Sequence, residues 1–204
     1  MAVEILATLT SFIINTISNS GYFGIFLLMV AESALIPIPS EVIMPFSGYL
    51  VSTGKFGVVQ VILAGSIGNL VGSLAAYFAG AYLGRGFILR YGKYILLKKS
   101  HLEGAEAYFK KYGAKSTFIS RLLPAIRTYV SLPAGTAKMG LKKFAAYTFV
   151  GSIIWNAALT FVGIKLGQEW DSIRKYSSYF DAIVIIAVIA AIIIYWRRRK
   201  VSGP

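Results

Sequence analysis

Glu32-Ser33-Ala34-Leu35-Ile36-Pro37-Ile38-Pro39-Ser40-Glu41 is the stretch that decides what kind of fold this chain has. It sets two carboxylates into an apolar run and breaks that run with two prolines. Proline removes a backbone donor and pushes the residue before it out of the helical region, so no helix continues through this segment. Behind the break an apolar run reaches back to Gly21, and ahead of it another extends to Tyr49. Each is shorter than the ~20 residues a straight helix needs to cross a ~30 Å hydrocarbon core. Ser40 is a good N-cap, and Glu41 falls in the first turn of the second run, where a carboxylate suits the helix dipole. Two short arms around a Pro-x-Pro break predict a re-entrant hairpin over residues 21 to 53. Such backbone is tolerated at depth only where protein or a water-filled cavity surrounds it.

A second stretch answers the first. Residues 116 to 135 are again apolar and short, are broken by Pro124 and Pro133, and carry two guanidinium groups in Ser120-Arg121-Leu122-Leu123-Pro124-Ala125-Ile126-Arg127. Between the two hairpins, residues 57 to 83 form a continuous apolar span whose small residues (Gly65, Gly68, Gly72, Ala76, Gly80) suit close helix packing. Residues 144 to 166 span again, with Lys165 placed to snorkel, and residues 180 to 196 form a third full transmembrane helix. Residues 3 to 18 mix apolar and small polar residues at helical spacing and predict an amphipathic interfacial helix. The fold class is therefore an all-α integral membrane protein.

Composition agrees. Of 204 residues 56% are hydrophobic and the mean hydropathy is +0.67, too apolar for an ordinary soluble domain. The 21 Lys and Arg against 8 Asp and Glu give +13, a total that a nucleic-acid binder also shows. Here, however, the bases cluster at residues 85 to 115, 138 to 143 and 197 to 200, flanking apolar spans as positive-inside loops do. The aromatic and aliphatic residues interleaved with the first cluster place it at a surface of anionic lipid. The basic end at 197 to 200 fixes the C-terminus in the cytoplasm, the loop at 167 to 178 outside, and the chain in the cell membrane. Counting back, the hairpin at 21–53 enters from outside and the one at 116–135 from inside, so they face each other. Residues 1 to 20 lack the basic start of a signal peptide and are expected in the mature protein. With no cysteine, thiolate metal sites and Cys nucleophiles are excluded.

The chain also echoes itself. Pro45-Phe46-Ser47-Gly48, Gly65-Ser66-Ile67 with Asn69, and Gly80 to Gly84 parallel Pro133-Ala134-Gly135, Gly151-Ser152-Ile153 with Asn156, and Gly163 to Gly167. Copies of opposite topology make an inverted repeat, the plan many secondary transporters use. The domain division is residues 1–20, a membrane domain over 21–168, and 169–200 for the last helix and basic end.

Charge at bilayer depth is expensive and makes a functional site the default hypothesis. Glu32, Glu41, Arg121 and Arg127 are the candidate binding residues. Arginine stays charged and offers a planar donor fork for phosphate or carboxylate, whereas a carboxylate at depth can neutralise itself with a proton, making Glu32 and Glu41 candidate proton-coupling groups. The bland reading of the four is structural salt bridges. Pro37, Pro39, Pro124 and Pro133 are candidate hinges. His101 stands in a basic loop as a solvated residue, no metal or cofactor is expected, and no catalytic signature is present. Ser33, Ser40 and Ser120 read as caps or packing residues, Asn69 and Asn156 as helix-packing glue. Trp155, Tyr77 and the other aromatics toward span ends read as interfacial belts.

At these residues the chain resembles the DedA family, also called VTT-domain or SNARE-associated Golgi proteins. The resemblance rests on Glu32-x-x-x-x-Pro37-x-Pro39-Ser40-Glu41 and on Phe118-x-x-Arg121-x-x-Pro124-x-x-Arg127 followed by Pro133-Ala134-Gly135, and covers about residues 20 to 170. It implies two facing re-entrant hairpins and translocation of lipids, including undecaprenyl phosphate, with phospholipid scrambling in eukaryotic relatives. It further implies links to proton-motive force, and matches Glu32 and Glu41 to the family's functional acids and Arg121 and Arg127 to its arginines. Ser40-Glu41 stands where members often carry Gly-Asp or Gly-Glu, and keeps the carboxylate. The expectation is a lipid-phosphate transporter, flippase or scramblase and not an enzyme. The alternatives are a proton-coupled transporter of small cations or drugs, and a non-transporting scaffold.

Overall fold

In the computed structural model the described residues are 2–36, 38–91, 115–123 and 127–168, and all their regular structure is helical. The elements are α1 (Ala2–Ser33), α2 (Ser40–Ser52), α3 (Val58–Tyr91), α4 (Lys115–Arg121), α5 (Ser131–Thr136) and α6 (Leu141–Gln168). Pro37, Pro124, most of the basic segment after α3, and the expected helix at 180 to 196 lie outside the described residues. Three helical stretches are long and apolar enough to cross a membrane: Ala7–Ser33, Val58–Gly84 and Leu141–Gln168. The last two are the spans expected at 57 to 83 and 144 to 166.

The first stretch is not one straight rod. Gly21 takes φ 58°, ψ −136°, a conformation open to glycine and denied to residues with a Cβ. A Cβ placed on Gly24 would lie 2.7 Å from the Thr16 carbonyl oxygen, whereas eight residues of straight helix span about 12 Å. The arm before Gly21 therefore doubles back along the arm after it. Leu9 consequently lines the same cavity as Glu32 and Leu35. The helix expected over residues 3 to 18 is present, and its apolar stripe turns inward: the first arm buries Ile13 and Ile17 with Ile25, Leu28 and Met29. The i, i+4 stripe Leu9–Ile13–Ile17 supplies this inner face, while Phe12 stays exposed on the other.

The break after α1 is also made differently from expectation. Proline does not end the helix; Leu35 does, turning left-handed at φ 74° so that the Ile36 N–H reaches back to the Ala31 carbonyl at 3.0 Å, in the manner of a Schellman cap. Pro39 then sits extended at φ −80°, ψ 117°, and α2 returns. The entry and exit of this hairpin are adjacent: the Gly57 N–H donates to the Tyr22 hydroxyl at 2.8 Å, and the Tyr22 and Phe56 rings lie 4.7 Å apart. The second short helix closes similarly, with Lys138 left-handed at φ 49° and the Met139 N–H on the Ala134 carbonyl at 3.1 Å. Pro133 lies in the first turn of α5, where a missing N–H costs nothing.

Two helix crossings are built from the same atoms. A Cβ on Gly48 of α2 would strike the Thr160 carbonyl and approach the Ile164 nitrogen of α6, and one on Gly163 would strike the Pro45 carbonyl. In the second crossing Gly135 of α5 meets the Tyr77 carbonyl and Ala81 nitrogen of α3, and Gly80 meets the Leu132 carbonyl. Thus α2 lies on α6, the long helix that follows α5, and α5 lies on α3, the long helix that follows α2. Between α3 and α6, Asn156 meets Asn69 at one end and the Tyr77 ring meets Phe144 at 4.8 Å toward the other, so these two helices run antiparallel.

Candidate functional site

Arg127 is the centre of the site. It is 5% exposed, and its Nη2 donates both to the Glu32 carboxylate and to the Ser40 hydroxyl. Glu41 lies 3.8 Å away with its side chain 48% exposed, and the guanidinium carbon sits 5.0 Å from the centroid of the Trp155 ring. The end of α1, the start of α2, the turn before α5 and the middle of α6 each contribute one side of this cage. Removing one partner of such a buried pair leaves an uncompensated charge, at a cost of about 3–5 kcal/mol.

Arg121 stands behind Arg127 and does not line the cavity. It is 3% exposed, and donates to the Arg127 carbonyl at 2.8 Å, the Ser131 hydroxyl at 2.8 Å and the Thr148 hydroxyl at 3.3 Å. Its stem passes Gly151, where a Cβ would lie 2.6 Å from the Arg121 Cβ. The planar fork ties the turn carrying Arg127 to α5 and α6, so the two arginines divide the work: one faces the cavity, the other holds it in place.

On the far side of Glu32 a polar chain crosses the core. Asn69 Nδ2 donates to the Glu32 carboxylate at 3.1 Å and to the Ser33 hydroxyl at 2.6 Å. Asn156 Nδ2 donates to Asn69 Oδ1 at 3.0 Å and to the Ser66 hydroxyl at 3.1 Å. Glu32 is thereby held from both sides, by a cation and by an amide that is itself fixed.

A cavity of about 400 Å³ opens beside these groups, lined by Glu32, Glu41 and Arg127 and by apolar residues that include Leu35, Ile36 and Ile38. A lining that combines a buried cation and carboxylates with aliphatic side chains suits an amphiphile with an anionic head.

Of the sequence-predicted residues, Glu32, Glu41 and Arg127 meet here, and Arg121 meets Arg127 through its backbone. Pro39 lines the cavity, Pro133 is buried in α5, and Pro37 and Pro124 lie outside the described residues. Ser40 is no N-cap: it is the first residue of α2, without a capping bond, and its hydroxyl serves Arg127 and, at 3.4 Å, Glu41. Trp155, read in sequence as a belt residue, lies against Arg127, and Tyr77, read likewise, is buried with its hydroxyl donating to the Met139 carbonyl. Ser131 and Thr148 gave no signal beyond their spacing on helices. Asn69 and Asn156 do bond across helices as polar glue, with Glu32 at the end of their chain.

The VTT domain family model matches residues 38–165. The chain is 35% identical over 96% of its length to undecaprenyl phosphate transporter A of Bacillus subtilis, covering 96% of that protein. It is 37% identical over 92% to an alkaline phosphatase-like protein of Lactococcus lactis, covering 92% of it, and 23% identical over 89% to Protein DedA of Escherichia coli, covering 85% of it. No solved structure matches.

Proposed function

The chain belongs to the VTT-domain family of membrane proteins that includes Protein DedA, and from that premise we propose that it carries a lipid phosphate across the cell membrane, undecaprenyl phosphate being the first candidate. The observation that carries this reading is the buried Arg127, a donor fork held at the edge of an apolar-walled cavity by two carboxylates and a serine. A phosphate competes for the same donors, and a prenyl or acyl chain fits the aliphatic wall. The name of the Bacillus relative supports the substrate class.

In this reading the two proline-broken segments are re-entrant hairpins that meet from opposite faces as halves of an inverted repeat. The matched crossings of α2 on α6 and α5 on α3 support that symmetry, as does the adjacency of Tyr22 and Gly57 where the first hairpin enters and leaves. The C-terminus lies in the cytoplasm, the basic loops rest on anionic lipid, and Pro37, Pro39, Pro124 and Pro133 border the segments that shift. Of the two carboxylates, Glu32, which the phosphate displaces from Arg127, is the first candidate to take up a proton, and Glu41 the second. A hydrolytic reading, which the name of the Lactococcus relative invites, calls for a nucleophile with an activating base. Glu32 and Glu41 are instead directed at Arg127.

The test is transport in vesicles containing the purified protein, a labelled undecaprenyl phosphate analogue and a labelled phospholipid, with and without a pH gradient, beside Arg127→Ala. Movement of the polyprenyl lipid alone, lost in the variant, is expected. Movement of both lipids identifies a scramblase, and a requirement for the gradient identifies protons as the drive. Movement of neither by folded protein removes the lipid-phosphate reading and leaves proton-coupled export of small cations.

A further inference from the structure

Among the described residues three buried N–H donors lack a hydrogen-bond partner: Arg121 Nε, Arg127 Nε and Trp155 Nε1. They belong to one cluster, since Arg121 grips the Arg127 carbonyl and the Trp155 ring lies against the Arg127 guanidinium. The unpartnered buried oxygens belong to Ser73, Asn156 and Thr160 on the long helices α3 and α6. The unpartnered nitrogens around Arg127 are therefore all donors, since indole and guanidinium nitrogens only donate. A cluster with spare donors is complementary to a ligand that only accepts, as a phosphate does.

We propose that Trp155 is a binding residue of this site, its ring face steadying Arg127 and its Nε1–H donating to an oxygen of the bound phosphate. The proposal rests on the reading that the site takes a phosphate. Glu32 and Ser40 orient the guanidinium through Nη2. A phosphate arriving on that fork displaces Glu32, and the arginine then needs a holder that does not compete for its N–H groups. An aromatic face does this, because it attracts the cation through the ring quadrupole and leaves the donor edge free. The ring centroid is 5.0 Å from Arg127 Cζ, close enough for an anion held on the guanidinium edge to reach the indole once it displaces Glu32, although Trp155 does not line the cavity before that displacement. Nε1, desolvated and without an acceptor, gains its partner only when the anion is bound.

The experiment uses full-length protein with ¹⁵N-labelled indoles in detergent micelles, titrated with farnesyl phosphate and, separately, farnesol. The sequence has three tryptophans, and the Trp155 signal is the one absent from Trp155→Phe. That signal is expected to move with farnesyl phosphate and stay with farnesol. Trp155→Phe, which keeps the face and loses the donor, is expected to weaken farnesyl phosphate binding about tenfold, and Trp155→Leu, which loses both, to weaken it further. An unmoved signal together with undiminished binding by Trp155→Phe overturns the role of Trp155; if Arg127→Ala meanwhile abolishes binding, the phosphate reading stands. Wild-type protein that ignores farnesyl phosphate overturns both. Should Trp155→Phe fail to fold, the signal is assigned with Trp170→Phe and Trp196→Phe, and its response in the wild type decides.

Discussion

At the scale of single residues, the pair Arg127–Glu32 separates a transport site from a structural clasp. Both side chains are buried, so Arg127→Ala strands a carboxylate and is expected to destabilise the protein by about 3–5 kcal/mol. Replacing both partners by apolar residues of similar size, Arg127→Met with Glu32→Leu, removes the stranded charge and is expected to regain most of that loss. If the charges serve only folding, the double variant works. If they form a phosphate site, it is stable and inactive. Thermal unfolding in detergent and lipid transport in vesicles, measured on the same preparations, distinguish these outcomes, and full transport by the double variant would sink the phosphate site.

At the scale of elements, the matched glycine crossings make a prediction about packing alone. A methyl group on Gly48 must push α2 off the Thr160 carbonyl, and one on Gly135 must push α5 off the Tyr77 carbonyl. Backbone atoms at a helix crossing do not yield as a flexible side chain does, so Gly48→Ala and Gly135→Ala are each expected to destabilise by about 1–3 kcal/mol. Gly140, where an added Cβ would meet nothing within 4 Å, serves as the control without a steric clash, its change limited to the N-cap preference of α6. Equal losses at Gly48 and Gly135 mark the two crossings as equivalent; a loss at one alone would break the symmetry. These glycines were legible in sequence as small-residue stripes and as the ends of the echo, as were the proline breaks and the charges within them. The fold-back at Gly21 was not, because its signal is one glycine whose φ depends on how its two arms pack. The left-handed Leu35 was hidden for a like reason: a leucine in that conformation contradicts local preference, and tertiary contacts select it. Ser40 and Trp155 carry ordinary meanings in sequence, cap and belt, and acquired others only when residue 127 was brought beside them across the fold.

At the scale of the whole molecule, the charges at the site set a proton count. Arg121 and Arg127 are two cations, Glu32 and Glu41 two carboxylates, and the set is neutral when all are ionised. A phosphate monoester brings between one and two negative charges near neutral pH. An excess charge in a desolvated setting is costly, and the group placed to relieve it is Glu32, which the phosphate displaces from Arg127 and which then lies beside the new anion. Binding is therefore expected to draw in about one proton per phosphate, and affinity to fall as pH rises, by at most about tenfold per pH unit. Titration calorimetry with farnesyl phosphate in phosphate-free buffers of different ionisation enthalpy measures this directly, since the observed heat changes with buffer in proportion to the protons exchanged. Glu32→Gln, already neutral, is expected to bind without uptake and with a flatter pH dependence. Glu41 is half exposed and can disperse charge to water, so Glu41→Gln is expected to retain most of the uptake. No uptake by the wild type would leave phosphate binding in place and remove proton coupling at this site; uptake that survives Glu32→Gln but not Glu41→Gln would move the coupling group to the mouth of the cavity.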